Sequence, residues 1–531
     1  MPILNWTGKE KVINHHQEVP FRVLEHCYAY KNGEKTEEKS RSGNKIIHGD
    51  NLEALKALLP EYEGKIRCIY IDPPYNTGNE KWVYNDNVND PKIKKWLGQV
   101  VGKESEDLSR HDKWLCMMYP RLKLLHKLLN DNGVIFISID SNEVKYLRLI
   151  CDEIFGERNF IQEIIWKNKY GPGAMTKGFG NVHEYILCYS KRTIESISDR
   201  LSQDEIKKYK NKDEKFEIRG GYITQPVATQ SKDDRPNLVY PIYYNGHEIL
   251  PDKQWIWAKE RLYKALENNE IVVNQNNNKF SVRFKQYLKD EDGKIRTGKP
   301  ISILTSPFNQ DGTKEILSIF GKKMFNNPKP SELIKYLVSI TINDNDDKNG
   351  IYLDSFAGSG TTAHAVLNLN KEDGGSRRFI LVEMEDYAEN ITAERVKRVI
   401  KGYGNTEGTG GEFDFYELGC PLFKDDGFLN EEVSLEHIRN YVYYTETKEP
   451  LSRTQTCKKE NRWFLGIHNH TAYYFYYEKD SVTILDTAFL KNIKAKAHQY
   501  LIYADKCLVD KDQMMKNSII FKKIPRDITR F

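Results

Sequence analysis

The chain has 531 residues, 39% hydrophobic and 29% charged, with a net charge of +4. That length exceeds one ordinary hydrophobic core, so two or three domains are expected, and no apolar run approaches the roughly 18 residues needed to cross a bilayer. The start carries no basic stretch followed by an apolar one, and the eight cysteines are scattered without a C-x-x-C pair or His partners at metal spacing. A secreted disulfide frame and a zinc site are excluded on those grounds, leaving a cytoplasmic protein with reduced cysteines and no bound metal.

In chain order, residues 1–43 are polar and form an N-terminal arm with an expected helix at 21–30. Residues 44–51 read as a strand running into a turn, and 52–59 as a helix with Leu52, Leu55, Leu58 and Leu59 on its apolar positions, so that Asp50 stands where a helix N-cap belongs. The apolar run at 66–70 is a buried strand. It leads into Asp72-Pro73-Pro74-Tyr75-Asn76-Thr77-Gly78.

Two consecutive prolines fix two φ angles and remove two N–H donors, so this turn is stiff and its carbonyls are offered outward. A carboxylate (Asp72), a rigid carbonyl (Pro73) and an aromatic face (Tyr75) at a strand's carboxyl end suit an exocyclic amino group on a flat heterocycle. The plainer alternative is a strand ending in a proline turn, with Asp72 capping and Tyr75 packing. The following loop interleaves Trp82, Tyr84, Lys94 and Trp96, a pattern suited to closing on a polynucleotide.

Residues 114–130 are then expected as a helix stopped at Asp131-Asn132-Gly133, 134–139 as a buried strand, and 143–155 as a further helix. Strands at 161–166 and 185–189 flank a segment with Lys167, Lys169, Lys177 and four glycines, either a phosphate-gripping hairpin or a connecting turn. Strand-helix units of this kind predict a parallel sheet with helices on both faces. From 192 the pattern changes to short strands, asparagines and charges. Arg235, Trp255, Arg261 and Arg283 are the candidates there for gripping phosphates or reading base edges.

Beyond 310, Pro330 and Ser331 open a helix at 331–340, and an apolar strand runs into Asp354-Ser355-Phe356-Ala357-Gly358-Ser359-Gly360-Thr361-Thr362 before another helix. Strand, Gly-x-Gly turn and helix make the layout of a nucleotide-type cofactor loop. No Lys follows the second glycine, which excludes a Walker loop, and the third Rossmann glycine is missing. A ligand with a nucleoside and a carboxylate fits better than one with phosphates, and S-adenosylmethionine is such a ligand. Residues 378–383 read as the next strand, ending in Glu383 where doubly wound folds hold ribose hydroxyls. A helix at 387–400, a glycine-rich linker at 402–411 and a small α+β domain over 412–531 complete the expected chain.

The pair Asp72-Pro73-Pro74-Tyr75 and Phe356-Ala357-Gly358-Ser359-Gly360, in that order, resembles the β-class amino-methyltransferases of DNA. The longer match over 72–87 and 354–366 resembles the Mod subunits of type III restriction-modification systems. The resemblance implies a circularly permuted, Rossmann-like α/β methyltransferase sheet in two halves, 44–191 catalytic and 311–403 cofactor-binding, with a target-recognition domain inserted at 192–310. It implies S-adenosylmethionine as methyl donor and N6 of a flipped-out adenine as acceptor, with catalysis by Asp72, Pro73, Pro74 and Tyr75. Cofactor contacts would come from Asp50, Asp72, Lys329, Asp354, Phe356, Gly358, Gly360, Thr361 and Glu383, with Lys329 near the methionine carboxylate. Double-stranded DNA, a separate restriction subunit and a second copy of the chain are the implied partners. Cytosine N4 as acceptor, a non-catalytic DNA-specificity subunit, a dehydrogenase-like enzyme, and a methyltransferase of RNA or protein amide nitrogen remain as alternatives.

Overall fold

The computed structural model describes residues 3–77, 98, 110–172, 178–194, 197–230, 233–276, 279–341, 348–451 and 462–530. Lys94 and Lys177, with Trp82, Tyr84 and Trp96, lie outside the described residues. The chain falls into two compact units, one formed by Met1–Ser196 with Ile301–Phe531, the other by Ile197–Pro300.

An eleven-stranded mixed sheet organises the first unit. Its strands are β1 (Arg22–Lys31), β2 (Glu34–Thr36), β3 (Lys45–His48), β4 (Ile66–Ile71), β5 (Leu129–Ile139), β6 (Phe160–Lys167), β7 (His183–Ser190), β8 (Ile303–Leu304), β9 (Ile351–Asp354), β10 (Arg378–Glu383) and β11 (Phe413–Pro421). They lie in the order β8-β6-β7-β5-β4-β9-β10-β3-β11-β1-β2. From β5 through β4, β9, β10 and β3 to β11 every pairing is parallel. All six residues of β4 and all four of β9 are buried, as parallel strands covered on both faces require. The α/β doubly wound architecture expected from the strand-helix alternation is therefore present, with a mixed α+β tail carrying a four-stranded sheet of its own.

Five local features differ from the sequence reading. Residues expected as a helix at 21–30 form β1, whose aromatics meet those of β11 across an antiparallel pair, Tyr28 stacking on Phe415 at 5.2 Å. Cross-strand partners hundreds of residues away decide this, and no local pattern shows them. The stop at Asp131-Asn132-Gly133 is not a helix end: the helix Arg110–Leu128 passes straight into β5, and these residues form a bulge against β4. Gly133 is required there because a Cβ would come within 2.9 Å of the Ile66 carbonyl oxygen.

The helix expected at 387–400 opens as a π-helical segment, Ala388–Ala393, before Glu394–Lys401 continues as α-helix. The wider turn delivers the Thr392 hydroxyl to the Gly358 carbonyl at 2.6 Å. The glycine-rich stretch at 402–411 contains a short hairpin, Gly402–Tyr403 against Thr406–Glu407. The strand β11, placed with the tail by sequence, pairs with β3 and β1 in the main sheet.

The second unit holds a three-stranded antiparallel sheet (Tyr222–Pro226, Ile271–Asn276, Lys279–Tyr287) around a core of Val227, Trp255, Leu262 and Val282. Trp255 is a correction to the expected DNA contacts: the residue is 1% exposed and its Nε1 donates to the Tyr240 carbonyl at 2.8 Å. Truncating a side chain packed this way leaves a large cavity. Trp255→Ala is expected to destabilise the unit by about 3–5 kcal/mol, read as a lowered urea midpoint.

Candidate active site

The two stretches that carry chemistry sit at the carboxyl ends of adjacent parallel strands. β4 and β9 pair with Cys68 opposite Tyr352 and Ile69 opposite Leu353, so the turn after Ile71 and the loop after Asp354 open on the same edge of the sheet. That crevice is where open α/β sheets bind ligands.

In the turn, Pro73 and Pro74 are buried, Asp72 is 8% exposed and Tyr75 is half-buried. The Trp114 indole donates to the Pro74 carbonyl at 2.6 Å, fixing the turn on the helix Arg110–Leu128. Lys329 enters from the segment before the helix Ser331–Ser339. Its ammonium donates to both Asp72 oxygens at 2.8 Å and to the Tyr75 hydroxyl at 2.8 Å. Burial alone would lower the Lys329 pKa, but the Asp72 and Glu184 carboxylates hold it above its ordinary value. Lys329, expected near the cofactor's carboxylate, is thus placed between two carboxylates of the chain itself, Asp72 and Glu184.

The glycine loop is built for close approach. Gly358 and Gly360 take φ of 53° and 82°, and at Gly360 a Cβ would meet the Thr392 carbonyl oxygen at 3.0 Å. Asp354 accepts from the Phe356 N–H at 3.0 Å and the Thr362 hydroxyl at 2.5 Å, closing the turn on itself. Glu383, at the end of β10, accepts from the Gly358 N–H at 2.7 Å and the Glu385 N–H at 3.0 Å. Burial pushes the Asp354 carboxyl up to about 7 and the Glu383 carboxyl up to about 8, each against hydrogen bonds that pull the other way. The Thr361 hydroxyl donates to the Lys329 carbonyl at 3.2 Å, tying the loop to the lysine that holds Asp72.

Asp50 caps the helix Asn51–Tyr62 through the Leu52 and Glu53 N–H groups at 2.9 and 3.2 Å, and pairs with Arg121 at 3.3 Å. It is half-buried, with Oδ1 on the helix N–H groups and Oδ2 toward Arg121. Among the proposed DNA contacts, Lys167 is half-buried with its ammonium 5.8 Å from the Phe308 ring, Arg235 and Arg261 are exposed, and Arg261 stacks over Trp257 at 4.2 Å. The Arg283 guanidinium is engaged by Thr224, at 2.9 Å to its hydroxyl and 2.8 Å to its carbonyl.

Sequence reasoning missed two groups. Glu184 accepts from the Tyr75 hydroxyl at 3.0 Å and from Asn168 at 2.6 Å, yet in sequence it is a single acid just before the strand expected at 185–189. Arg395, buried, donates to Ser359, Thr361 and Glu315 at 2.8, 2.9 and 2.7 Å, while Glu315 also takes the Ser331 N–H at 3.2 Å. One guanidinium so braces the glycine loop and, through Glu315, the helix that follows Lys329. An Arg–Glu pair spaced eighty positions apart has no local signature.

A family model described as DNA methylase matches residues 66–394, well over half of the chain. The chain belongs to the DNA methylase family. Among the relatives of this chain, the StyLTI Mod subunit of a type III restriction-modification enzyme from Salmonella typhimurium is 35% identical over 430 residues, covering 78% of this chain and 62% of that one. The EcoPI Mod subunit from Escherichia phage P1 is 32% identical over 473 residues, covering 78% and 70%. The type II methyltransferase M.KpnI from Klebsiella pneumoniae is 34% identical over 367 residues, covering 64% and 81%. The chain thus spans somewhat under two thirds of the StyLTI subunit's length. Among its described residues no helix is long and apolar enough to cross a membrane.

Proposed function

We propose that the protein methylates the exocyclic N6 of adenine in double-stranded DNA, with S-adenosylmethionine as donor, as the modification subunit of a restriction-modification system. The observation that carries this reading is the placement of a buried carboxylate turn and a glycine loop on neighbouring strand ends, joined by Lys329.

The glycine loop fits the donor. It offers backbone at close range without a phosphate-binding cation, Glu383 stands at the adjacent strand end to accept ribose hydroxyls, and the buried Ser355 hydroxyl has no hydrogen-bond partner among the described residues. Gly358, Gly360, Phe356, Thr361 and Glu383 would hold the nucleoside, and Asp354 shapes the loop. When bound, S-adenosylmethionine supplies a methyl carbon whose bond to sulfur breaks as the N6 lone pair takes it.

The chain's own residues prepare that lone pair. An amino nitrogen on adenine shares it with the ring, so attack needs the nitrogen to become tetrahedral. Asp72 and the Pro73 carbonyl accept its two hydrogens, and stabilise positive charge that grows only in the transition state. One N6 proton then passes to the Asp72 carboxylate and on to water. Tyr75 stacks on the base, which must leave the duplex because the nitrogen cannot be reached inside it. Lys329, hydrogen-bonded to both Asp72 oxygens, holds that carboxylate in place at the turn.

Asp72 in place of Ser at the start of the turn favours adenine over cytosine within this class. The second unit, with exposed Arg235 and Arg261, serves as the target-recognition module, and a separate restriction subunit supplies cleavage. Mapping modified bases in DNA from cells expressing this chain alone tests the reading. N6-methyladenine at one short recurring sequence is the expected result; N4-methylcytosine, or no modification, overturns it.

A further inference from the structure

The ammonium of Lys329 occupies the oxygens that the proposed reaction needs. A lysine has three N–H donors. Here they are directed at both oxygens of Asp72 and at the Tyr75 hydroxyl, each at 2.8 Å. For the amino group of a base to be held by Asp72, this ammonium has to give up at least part of that carboxylate. A buried ammonium displaced without a new anion is costly, because nothing replaces the attraction it gives up.

A second anion is in place. Glu184 Oε2 lies 3.7 Å from Lys329 Nζ, within the reach of a small side-chain rotation. Its carboxylate is already oriented from two sides, by the Tyr75 hydroxyl at 3.0 Å and the Asn168 amide at 2.6 Å. Asn168 is itself fixed by its backbone, which donates to the Val182 carbonyl at 2.9 Å and accepts from the Asn309 N–H at 2.9 Å. The Glu184 and Lys329 side chains are only 14% and 9% exposed, so water competes weakly for the ammonium.

Resting on the adenine-methylation reading, we propose that Glu184 is a positioning residue that receives Lys329 when the target amino group engages Asp72. Lys329 then moves between two carboxylates: on Asp72 while the site awaits a base, on Glu184 while the base is held. The cation stays paired throughout, and the Asp72 oxygens keep a hydrogen-bond partner until the base takes them.

The test is a double-mutant cycle on the full chain, with methyl transfer measured on DNA carrying the mapped site. Glu184→Gln keeps one acceptor oxygen for the Asn168 amide and turns an N–H toward the Tyr75 oxygen, but offers no anion. It is expected to lower kcat about ten- to a hundredfold, with the Kd for S-adenosylmethionine within about twofold of wild type. Glu184→Asp, which restores the charge, is expected to recover part of the loss. In a Lys329→Met background the Glu184→Gln effect is expected to disappear, because no ammonium is left to receive. A merely structural Glu184 would lose as much there as in the wild type, and that result, or wild-type kcat in Glu184→Gln, overturns the inference. If the wild-type chain itself makes no methyladenine, the functional reading fails instead, so the two failures are distinguishable.

Discussion

Asp72→Ala is expected to lower methyl transfer by about a hundred- to a thousandfold or more, while the affinity for S-adenosylmethionine changes only severalfold. Losing one preorganised partner of a developing charge typically costs that much in kcat, and Asp72 offers two oxygens at the attacking nitrogen. Cofactor binding is spared because the glycine loop is held by other groups: Thr392 on the Gly358 carbonyl, Glu383 on its N–H, and Arg395 on Ser359 and Thr361. The substitution also strips Lys329 of its nearest anion, leaving Glu184 at 3.7 Å and the Tyr75 hydroxyl. A melting curve on the same sample separates a lost reaction from a lost fold. Single-turnover transfer of a labelled methyl group, with cofactor binding by calorimetry, checks the prediction; activity within tenfold of wild type would remove Asp72 from the chemistry.

The second large effect is on pH dependence. In the free protein burial pushes Glu383 up to about 8 from an ordinary value of 4.5. An ionised Glu383 is the better acceptor for ribose hydroxyls, so binding favours the form that is scarce at neutral pH, and a proton is released on binding. The Kd for S-adenosylmethionine is therefore expected to fall by up to about tenfold per pH unit as pH rises toward 8, and to level off above it. Asp354, raised to about 7, titrates in the same window but faces its own turn, through Phe356 and Thr362. Glu383→Gln is expected to bind more weakly at pH 8 and to lose most of the slope.

Stability of the ligand-free protein moves oppositely. The folded state binds more protons than the unfolded chain between about 4.5 and 8, so the Glu383 contribution is fully present below 4.5 and is lost as pH rises through 8. Calorimetric binding across pH 6.5–8.5 decides the point, and equal slopes for wild type and Glu383→Gln would refute it.

The sequence carried the central sheet and both loops because parallel buried strands are continuous apolar runs, and β4, β9 and β10 are such runs. The proline turn and the Gly-x-Gly loop were legible because their chemistry is written in consecutive residues. What escaped depends on distant pairing. β1 has a composition compatible with helix and becomes a strand only because β11 offers it aromatic partners. Trp255 looked like a DNA contact among its basic neighbours, since a polar surround in sequence does not reveal that the ring points into a core. Glu184 and Arg395 acquire their roles from groups on other elements.

The pairing of β4 with β9 bears on synthesis of the chain. When a ribosome has reached Pro300 it has made the entire acceptor turn and none of the strand that covers one side of β4. At about 5–20 residues per second, that side waits roughly a quarter of a minute to a minute for its neighbour. Throughout the wait an apolar strand keeps a row of unpaired backbone groups, a template for pairing with other nascent chains. Fragments ending before Ile351 should accordingly be prone to aggregation, and the unit Ile197–Pro300, encoded in the interval, has time to fold before the strand Ile351–Asp354 is made.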